Sequence, residues 1–279
     1  MTIQPKPGES LAADEIKILE KEILAAFWEF CKEHKIRMWL AYGTLLGAVR
    51  HGDMIPWDDD IDVVIPSSDL KKMLAILREQ GSMINHHIKV VCPATDAGSY
   101  TIFPKIVDIR TQSEENALRS DIDATTGVWI DIFVLYGSDP LFLRERAVQL
   151  LHHFFYTMAR LVTFENFPGA SQLGKGLHRL FRPLARLMGH TFWNKAAFWV
   201  STNLFRSFSC GDYVYVEANT SLKFPRRIFK GARMEFFGQN KYPIPVGYDE
   251  YLKIRYGSDY MEPPAEKDRY SHQMDARWR

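Results

Sequence analysis

Residues 41–65 read AYGTLLGAVRHGDMIPWDDDIDVVI, and this stretch decides the fold. The apolar run Met38 to Ala41 reads as a short buried strand, Gly43-Thr44 as a turn, Leu45 to Val49 as a helical turn and Asp60 to Ile65 as a second strand. Alternate strand side chains share a face, so Asp60 and Asp62 project together while Ile61, Val63 and Ile65 fill the other side. Two adjacent carboxylates repel, and the pair suits a hard divalent cation, Mg2+ or Mn2+, that fills its shell with oxygen ligands, water and phosphates. A bare DxD also fits exposed acids at a strand start. The neighbouring Gly43-Thr44 favours a site, because a glycine before a helical turn admits close approach and free amides suit an anion. Alone, that pair reads first as a plain turn and helix cap. Arg50 offers a bidentate fork to phosphate oxygens, whereas His51 reads as structural.

Working outward, Ile16, Leu19, Ile23, Phe27 and Phe30 recur at helical spacing and predict an amphipathic helix from Ser10 to about His34. Downstream, Asp69 to Gln80 reads as a helix, and Tyr100 to Ile109 and Val128 to Leu135 as strands. The second of these strands carries one acid, Asp131, among apolar neighbours. A lone buried carboxylate is costly, so Asp131 is a candidate third metal ligand or the base for an attacking hydroxyl. Lys105 and Asp108 either point a cation at phosphate and an acid at the site, or form a surface pair on their strand. Asp121 and Asp123 make another DxD in polar surroundings and read as surface residues. Arg269 and His272 near the C-terminus are further phosphate candidates.

The second half has a different texture. Leu141 to Phe164 and Gly174 to Val200 are helical in period, broken by the Asn166 to Gly169 turn and by Pro183, and residues 141–200 hold eight Lys or Arg against two Glu. A solvated face explains such a charge run, and so does a surface for an anionic acceptor or membrane headgroups. The fold class is therefore α+β: a mixed sheet core flanked by helices over residues 1–140, a basic helical insertion over 141–210 as the acceptor region, and a segment over 211–279 that packs back on the core.

Composition removes several function classes. The 279 residues are 46% hydrophobic and 25% charged with a net charge of +1, which fits a folded chain and gives no global excess for wrapping nucleic acid. Cys31, Cys92 and Cys210 lie far apart, which argues against a disulfide framework or zinc ribbon and fits a reducing compartment. The N-terminus is polar and no apolar run is long enough to span a bilayer, so the expected protein is soluble, unprocessed and cytoplasmic, with peripheral contact at the inner membrane face.

GTLLGAVRHGDMIPWDDDIDVVI (43–65), KIVDIRT (105–111), WIDIF (129–133) and IPVGYDEYLKIRYGSDYMEPP (244–264) together resemble the LicD family of phosphotransferases, related to the fukutin group. The resemblance implies a nucleotidyltransferase-like core and metal-dependent transfer of a phosphorylated alcohol, phosphocholine in the choline members, from a CDP-linked donor to a glycan or lipid-linked glycan such as teichoic acid or lipopolysaccharide. Carried over by position, the metal-binding DxD falls on Asp60 and Asp62, the later strand acid on Asp131, and the glycine and hydroxyl residue on Gly43 and Thr44. The loop from Arg50 to Asp59 belongs to the LicD pattern, while Trp57, Asp58 and Asp59 receive no role.

Other readings compete. Ribitol or glycerol phosphate are alternative transferred groups. Asp60-Ile-Asp-Val-Val64 also matches the nucleophile motif of a phosphatase, although Pro56-Trp-Asp-Asp59 is not the long buried strand such a motif follows. A nucleotide-binding protein without turnover would keep the same acids. For the acceptor, the helix from Lys175 to His190, with Arg179, Arg182 and Arg186 among Leu177, Leu180, Phe181 and Leu184, is the expected basic surface.

Overall fold

The computed structural model describes residues 7–114, 118–165, 172–216, 222–269 and 274–279, with side chains throughout these except at 172–180, 184 and 268. Helix α1 (Ala13–Glu33) buries Ile16, Leu19, Ile23, Phe27 and Phe30, the stripe its periodicity predicts. Glu15 fixes its start by accepting the Ala12 N–H at 2.8 Å. Strand β1 (Trp39–Leu40) leads directly into α2 (Tyr42–His51). Gly43 and Thr44 therefore lie inside the first turn of a helix that is longer than the predicted Leu45 to Val49. Gly43 and Gly47 stand one turn apart and seat the following loop. A Cβ at Gly43 would lie 2.4 Å from Asp58 Oδ2, and one at Gly47 2.6 Å from the Asp53 carbonyl oxygen. Only glycine leaves that room.

Strand β2 (Asp62–Pro66) is buried along its length and begins at Asp62, so Asp60 stands in the loop ahead of the strand rather than on it. After α3 (Ser67–Glu79) come β3 (Ile88–Val91), β4 (Lys105–Asp108), β5 (Thr111–Ser113) and β6 (Val128–Gly137). Strand β4 is shorter than the predicted Tyr100 to Ile109 because hydroxyls compete with the ladder there. Ser99 Oγ donates to the Thr101 carbonyl at 3.2 Å and Thr101 Oγ1 to the Phe103 carbonyl at 2.7 Å.

Strand β6 is the axis of a mixed sheet of order β1-β2-β6-β4-β3. Strand β2 runs parallel to it with Asp62 opposite Asp131, and β4 runs antiparallel with Lys105 opposite Asp131. Its C-terminal end pairs with β7 (Tyr213–Val216), which β8 (Lys223–Pro225) extends. Ile130 and Ile132 are buried on one face of β6, while Trp129, Asp131 and Phe133 are only partly buried on the other. Helices α1 and α3 contact the sheet, giving the α+β architecture that the sequence predicts.

Helices α4 (Phe142–Thr163) and α5 (Gln172–Asn203) pack on each other around a second, smaller core of Met158, Leu161, Val162, Ala185 and Trp193. The break in α5 is at Gly189, where φ is 73°, and not at Pro183. The predicted Asn166 to Gly169 turn lies outside the described residues. Two acids tie this hairpin to the sheet. Asp139 accepts from Arg206 Nε at 2.8 Å, from the Leu141 N–H at 2.9 Å and from Arg144. Glu145 accepts from the Asp139 N–H at 2.8 Å, from Lys223 Nζ at 2.9 Å and from the Tyr215 hydroxyl. Arg182, expected on a basic surface, instead caps α4: it donates to the carbonyls of Leu161 at 3.2 Å and of Phe164 and Glu165 at 2.7 Å.

The chain closes with the hairpin of β9 (Ala232–Phe237) and β10 (Asn240–Pro245), helix α6 (Tyr248–Tyr256) and β11 (Ala276–Trp278). Strand β11 pairs with β5, and the Leu11 N–H donates to the Ala276 carbonyl at 2.8 Å. No helix among the described residues is long and apolar enough to cross a membrane. Cys31, Cys92 and Cys210 are free thiols.

Candidate active site

Register partners on neighbouring strands share a face, so Lys105, Asp131 and Asp62 form one row across β4, β6 and β2. The row borders a cavity of about 1040 Å³ whose wall includes Gly43, Arg50, Trp57, Asp58, Asp60, Asp62 and Asp131, with Arg255, Tyr256, Asp259, Tyr260 and Glu262 from the C-terminal segment. Lys105 stands behind the wall. Its ammonium is 3.7 Å from Asp131 Oδ1 and 3.8 Å from the centre of the Trp129 ring, which gives a buried cation both an acid and an aromatic face.

Thr44 is buried, and its hydroxyl accepts the Asp62 N–H at 2.8 Å. The Ala41 N–H donates to the Asp62 carbonyl at 3.0 Å, so the start of α2 holds Asp62 from both sides of its backbone. The Tyr42 N–H, at the head of α2, donates to the buried Tyr251 hydroxyl at 3.4 Å. Gly43 carries the Asp58 carboxylate against its bare backbone. Gly43 and Thr44 thus set the positions of the acids, and Gly43 also lines the cavity.

Arg50 lies on the wall, where it donates to the Tyr260 carbonyl and to His51 Nε2, each at 3.0 Å, and sits 5.8 Å from the Trp57 ring centre. Arg269 reaches the same indole at 4.2 Å. His272 lies outside the described residues. Asp108 turns away from the cavity and accepts from Arg110 Nε at 3.0 Å. Asp121 is exposed beside Arg119, and Asp123 is exposed. The segment from Tyr256 to Pro264, within the 211–279 stretch expected to pack back on the core, forms part of the cavity wall.

Six carboxylates and two guanidiniums line this cavity. Burial and the charge of Asp59 raise the Asp58 carboxyl, while a hydrogen bond with Asp60 opposes them. Burial pushes the Tyr256 hydroxyl up, Arg255 pulls it back, and Asp62, Asp58 and Asp60 push it further. Behind the loop, Glu20 of α1 is fully buried, and neither of its oxygens has a hydrogen-bond partner among the described residues. Burial and then Asp60 and Asp59 hold its carboxyl well above the usual carboxylate range.

Crowded oxygen donors with no sulfur or imidazole among them are the ligand set of a hard divalent cation, so the residues fit Mg2+ or Mn2+. Among the described residues no three acids, histidines or cysteines are already drawn together around one point. Asp131 faces Lys105 and Asp58 leans on Asp60.

The sequence reading missed Glu20, Arg255, Asp259 and Glu262 and gave Asp58 no role. Arg255 had a signal: it lies in the C-terminal motif with Tyr256 beside it and Tyr251 one turn earlier. Glu20 had one too, since it stands four residues after Ile16 and three before Ile23 on the buried stripe of α1.

Residues 35–164 match the family described as LicD/FKTN/FKRP, nucleotidyltransferase domain. The lipopolysaccharide cholinephosphotransferase LicD of Haemophilus influenzae is 27% identical over 280 residues, which cover 95% of this chain and 97% of that protein. The human ribitol 5-phosphate transferase FKRP is 57% identical over 35 residues, 12% of this chain and 7% of FKRP. Mannosyltransferase regulator 4 of Saccharomyces cerevisiae is 28% identical over 113 residues, 39% of this chain and 9% of that protein. The paired-strand acids, the mixed sheet and these matches agree: residues 35–164 carry the pattern of the LicD/FKTN/FKRP nucleotidyltransferase domain, and the chain is similar to a LicD transferase along nearly its whole length.

Proposed function

We propose that this protein transfers phosphocholine from CDP-choline to a hydroxyl of a cell-surface glycan precursor, of the teichoic acid or lipopolysaccharide kind. The observation that carries the reading is the row Asp62, Asp131 and Lys105 beside a cavity of six carboxylates and two guanidiniums. A diphosphate entering so acidic a cavity is repelled unless a cation accompanies it. Asp60 and Asp62 would hold Mg2+ or Mn2+, with Asp131 as third ligand or as the base for the acceptor hydroxyl, and the bound cation would neutralise charge on the donor phosphates.

The residues' own work is positioning, which with electrostatics dominates phosphoryl transfer. Thr44 fixes the entry of Asp62 into its strand, Lys105 gives Asp131 a counter-charge, and Arg50 offers its fork to a donor phosphate. The acceptor oxygen bonds to the phosphorus distal to cytidine, the bond from that phosphorus to the bridging oxygen breaks, and CMP leaves. Choline is favoured by the relative aligned along nearly the whole chain and by the aromatic rings of Tyr42, Trp57, Phe133 and Tyr256 on the wall, because a quaternary ammonium is recognised by aromatic faces. The guanidinium of Arg255 already lies 5.4 Å from the ring centres of both Tyr42 and Tyr256. Ribitol phosphate is the second reading, supported by the short, strong match to FKRP.

The test is CMP release from CDP-choline, CDP-ribitol and CDP-glycerol, with and without a chelator. Release from CDP-choline that needs a divalent cation and falls about a thousandfold in Asp62→Asn is the expected outcome. A folded Asp62→Asn protein that turns over near the parental rate overturns the assignment, and cation-dependent release from CDP-ribitol alone replaces choline with ribitol.

A further inference from the structure

We infer that the α4–α5 hairpin is the face by which this protein lies on an anionic phospholipid bilayer. On α4, Leu143, Leu150 and Phe154 follow at intervals of seven and four residues and share one side of the helix. Leu143 is 82% exposed and Leu150 69%, values expected of charged side chains rather than leucines. On α5, Leu187, at 81%, is exposed together with Met188, Phe192 and Trp199. Trp193 joins the two stripes: its ring centre is 6.1 Å from that of Phe154 on α4 and 5.0 Å from that of Phe192 on α5. Phe154 and Phe192 are thus bridged by Trp193 across the two helices, and the exposed apolar side chains of α4 and α5 are more than the scattered leucines of an ordinary exterior.

Charge identifies the occupant. Arg146, Arg186 and Lys195 are exposed on the same two helices. The only carboxylate in the sequence of either helix is Glu145, and it is buried and bound to Lys223 and Tyr215. A second copy docked symmetrically here would set Arg146, Arg186 and Lys195 against their own copies, with no exposed carboxylate on either helix to pair them and Asp121, near Arg186, already engaged by Arg119. An anionic headgroup layer supplies the missing charge, and leucine, phenylalanine and tryptophan beside lysine and arginine are the composition of helices that lie in the bilayer interface.

The placement also reaches the cavity. Ile102 packs on the hairpin core, Asn194 Nδ2 donates to the Ser99 carbonyl at 3.3 Å, and the Phe103 ring is 5.3 Å from Phe133 on the cavity wall. A single loop, 99–104, therefore separates the docking face from the site, so an acceptor carried on the bilayer would arrive beside it. Docking on the bilayer needs no turnover and is the same whichever alcohol is transferred.

The experiment is co-sedimentation with phosphatidylglycerol and phosphatidylcholine vesicles, using the parent, Leu150→Glu/Leu187→Glu and Arg146→Glu/Arg186→Glu/Lys195→Glu, with circular dichroism to confirm folding. The parent should sediment with phosphatidylglycerol and stay in solution with phosphatidylcholine. Each basic residue contributes roughly fivefold to partitioning on an anionic surface, so the triple variant should bind at least about a hundredfold more weakly. The leucine variant should lose binding as well, and metal-dependent donor hydrolysis should be unchanged in both. A parent that stays in solution with phosphatidylglycerol at low salt, folded variants that sediment like the parent, or a dimer that Leu150→Glu/Leu187→Glu dissociates while vesicle binding is absent throughout, each overturns the inference.

Discussion

Asp58 rests its carboxylate on the backbone of Gly43, while the Asp53 carbonyl rests on Gly47, and the two glycines respond differently to a methyl group. At Gly43 the added Cβ would meet Asp58 Oδ2 at 2.4 Å, the end of a side chain that can swing away. At Gly47 it would meet a backbone oxygen at 2.6 Å, and the loop itself must move. Gly43→Ala should therefore cost about 1 kcal/mol in urea unfolding while lowering transfer at least about tenfold, since Asp58 leaves its seat on the cavity wall. Gly47→Ala should cost more, about 2–3 kcal/mol. Equal stability losses, or a fully active Gly43→Ala protein, would show that the seat is irrelevant. At this scale the candidate site was legible in part. Gly43, Thr44, Asp60, Asp62 and Asp131 announce themselves by spacing and by one acid in an apolar strand. Glu20 was hidden because its burial depends on a loop almost forty residues away, although its place on the apolar stripe was visible.

Elements show where local pattern yields to competing bonds. Strand β4 lost its first half to hydroxyls that bond neighbouring carbonyls, and α5 passed through Pro183 only to break at Gly189, where a positive φ suits glycine best. The basic run of the second half was legible as charge but not as task, since the sequence does not distinguish Arg182, which caps carbonyls, from Arg186, which faces solvent. The attachment of the hairpin gives a pH prediction. Burial works to raise the Asp139 carboxyl, but the Leu141 N–H, Arg206 and Arg144 outweigh it and hold the group at about 2. Its folded pKa lies below its unfolded value, so its stabilisation is full above about pH 4 and is lost as pH falls through about 2. Asp139→Asn should destabilise the protein by on the order of 2 kcal/mol at neutral pH and remove that acid-linked loss. Hydrogen exchange at the first turn of α4 reads the loosening, and unchanged protection there would sink the anchor role.

At the scale of the whole molecule, the mixed sheet flanked by helices was legible because strand and helix periods alternate cleanly through the first half. The order of the strands was not, because β2 and β4 both pair with β6 and no local pattern encodes that choice. Asp62 and Asp131 are neighbours only through a parallel pairing of strands almost seventy residues apart in the chain. Closing so long a loop must precede any reward from the contacts it brings, so such pairings form late, whereas the backbone hydrogen bonds within α1 and the packing of α4 on α5 join residues nearer in the chain. During refolding from urea, helical ellipticity should return ahead of transfer activity, and simultaneous recovery of the two would contradict this order. For a chain leaving the ribosome, β6 follows β2 by several seconds at ordinary synthesis rates of about 5–20 residues per second. The nascent protein therefore carries an acid-headed strand with one unpaired edge throughout that interval, and Asp62 meets Asp131 only when its partner strand emerges.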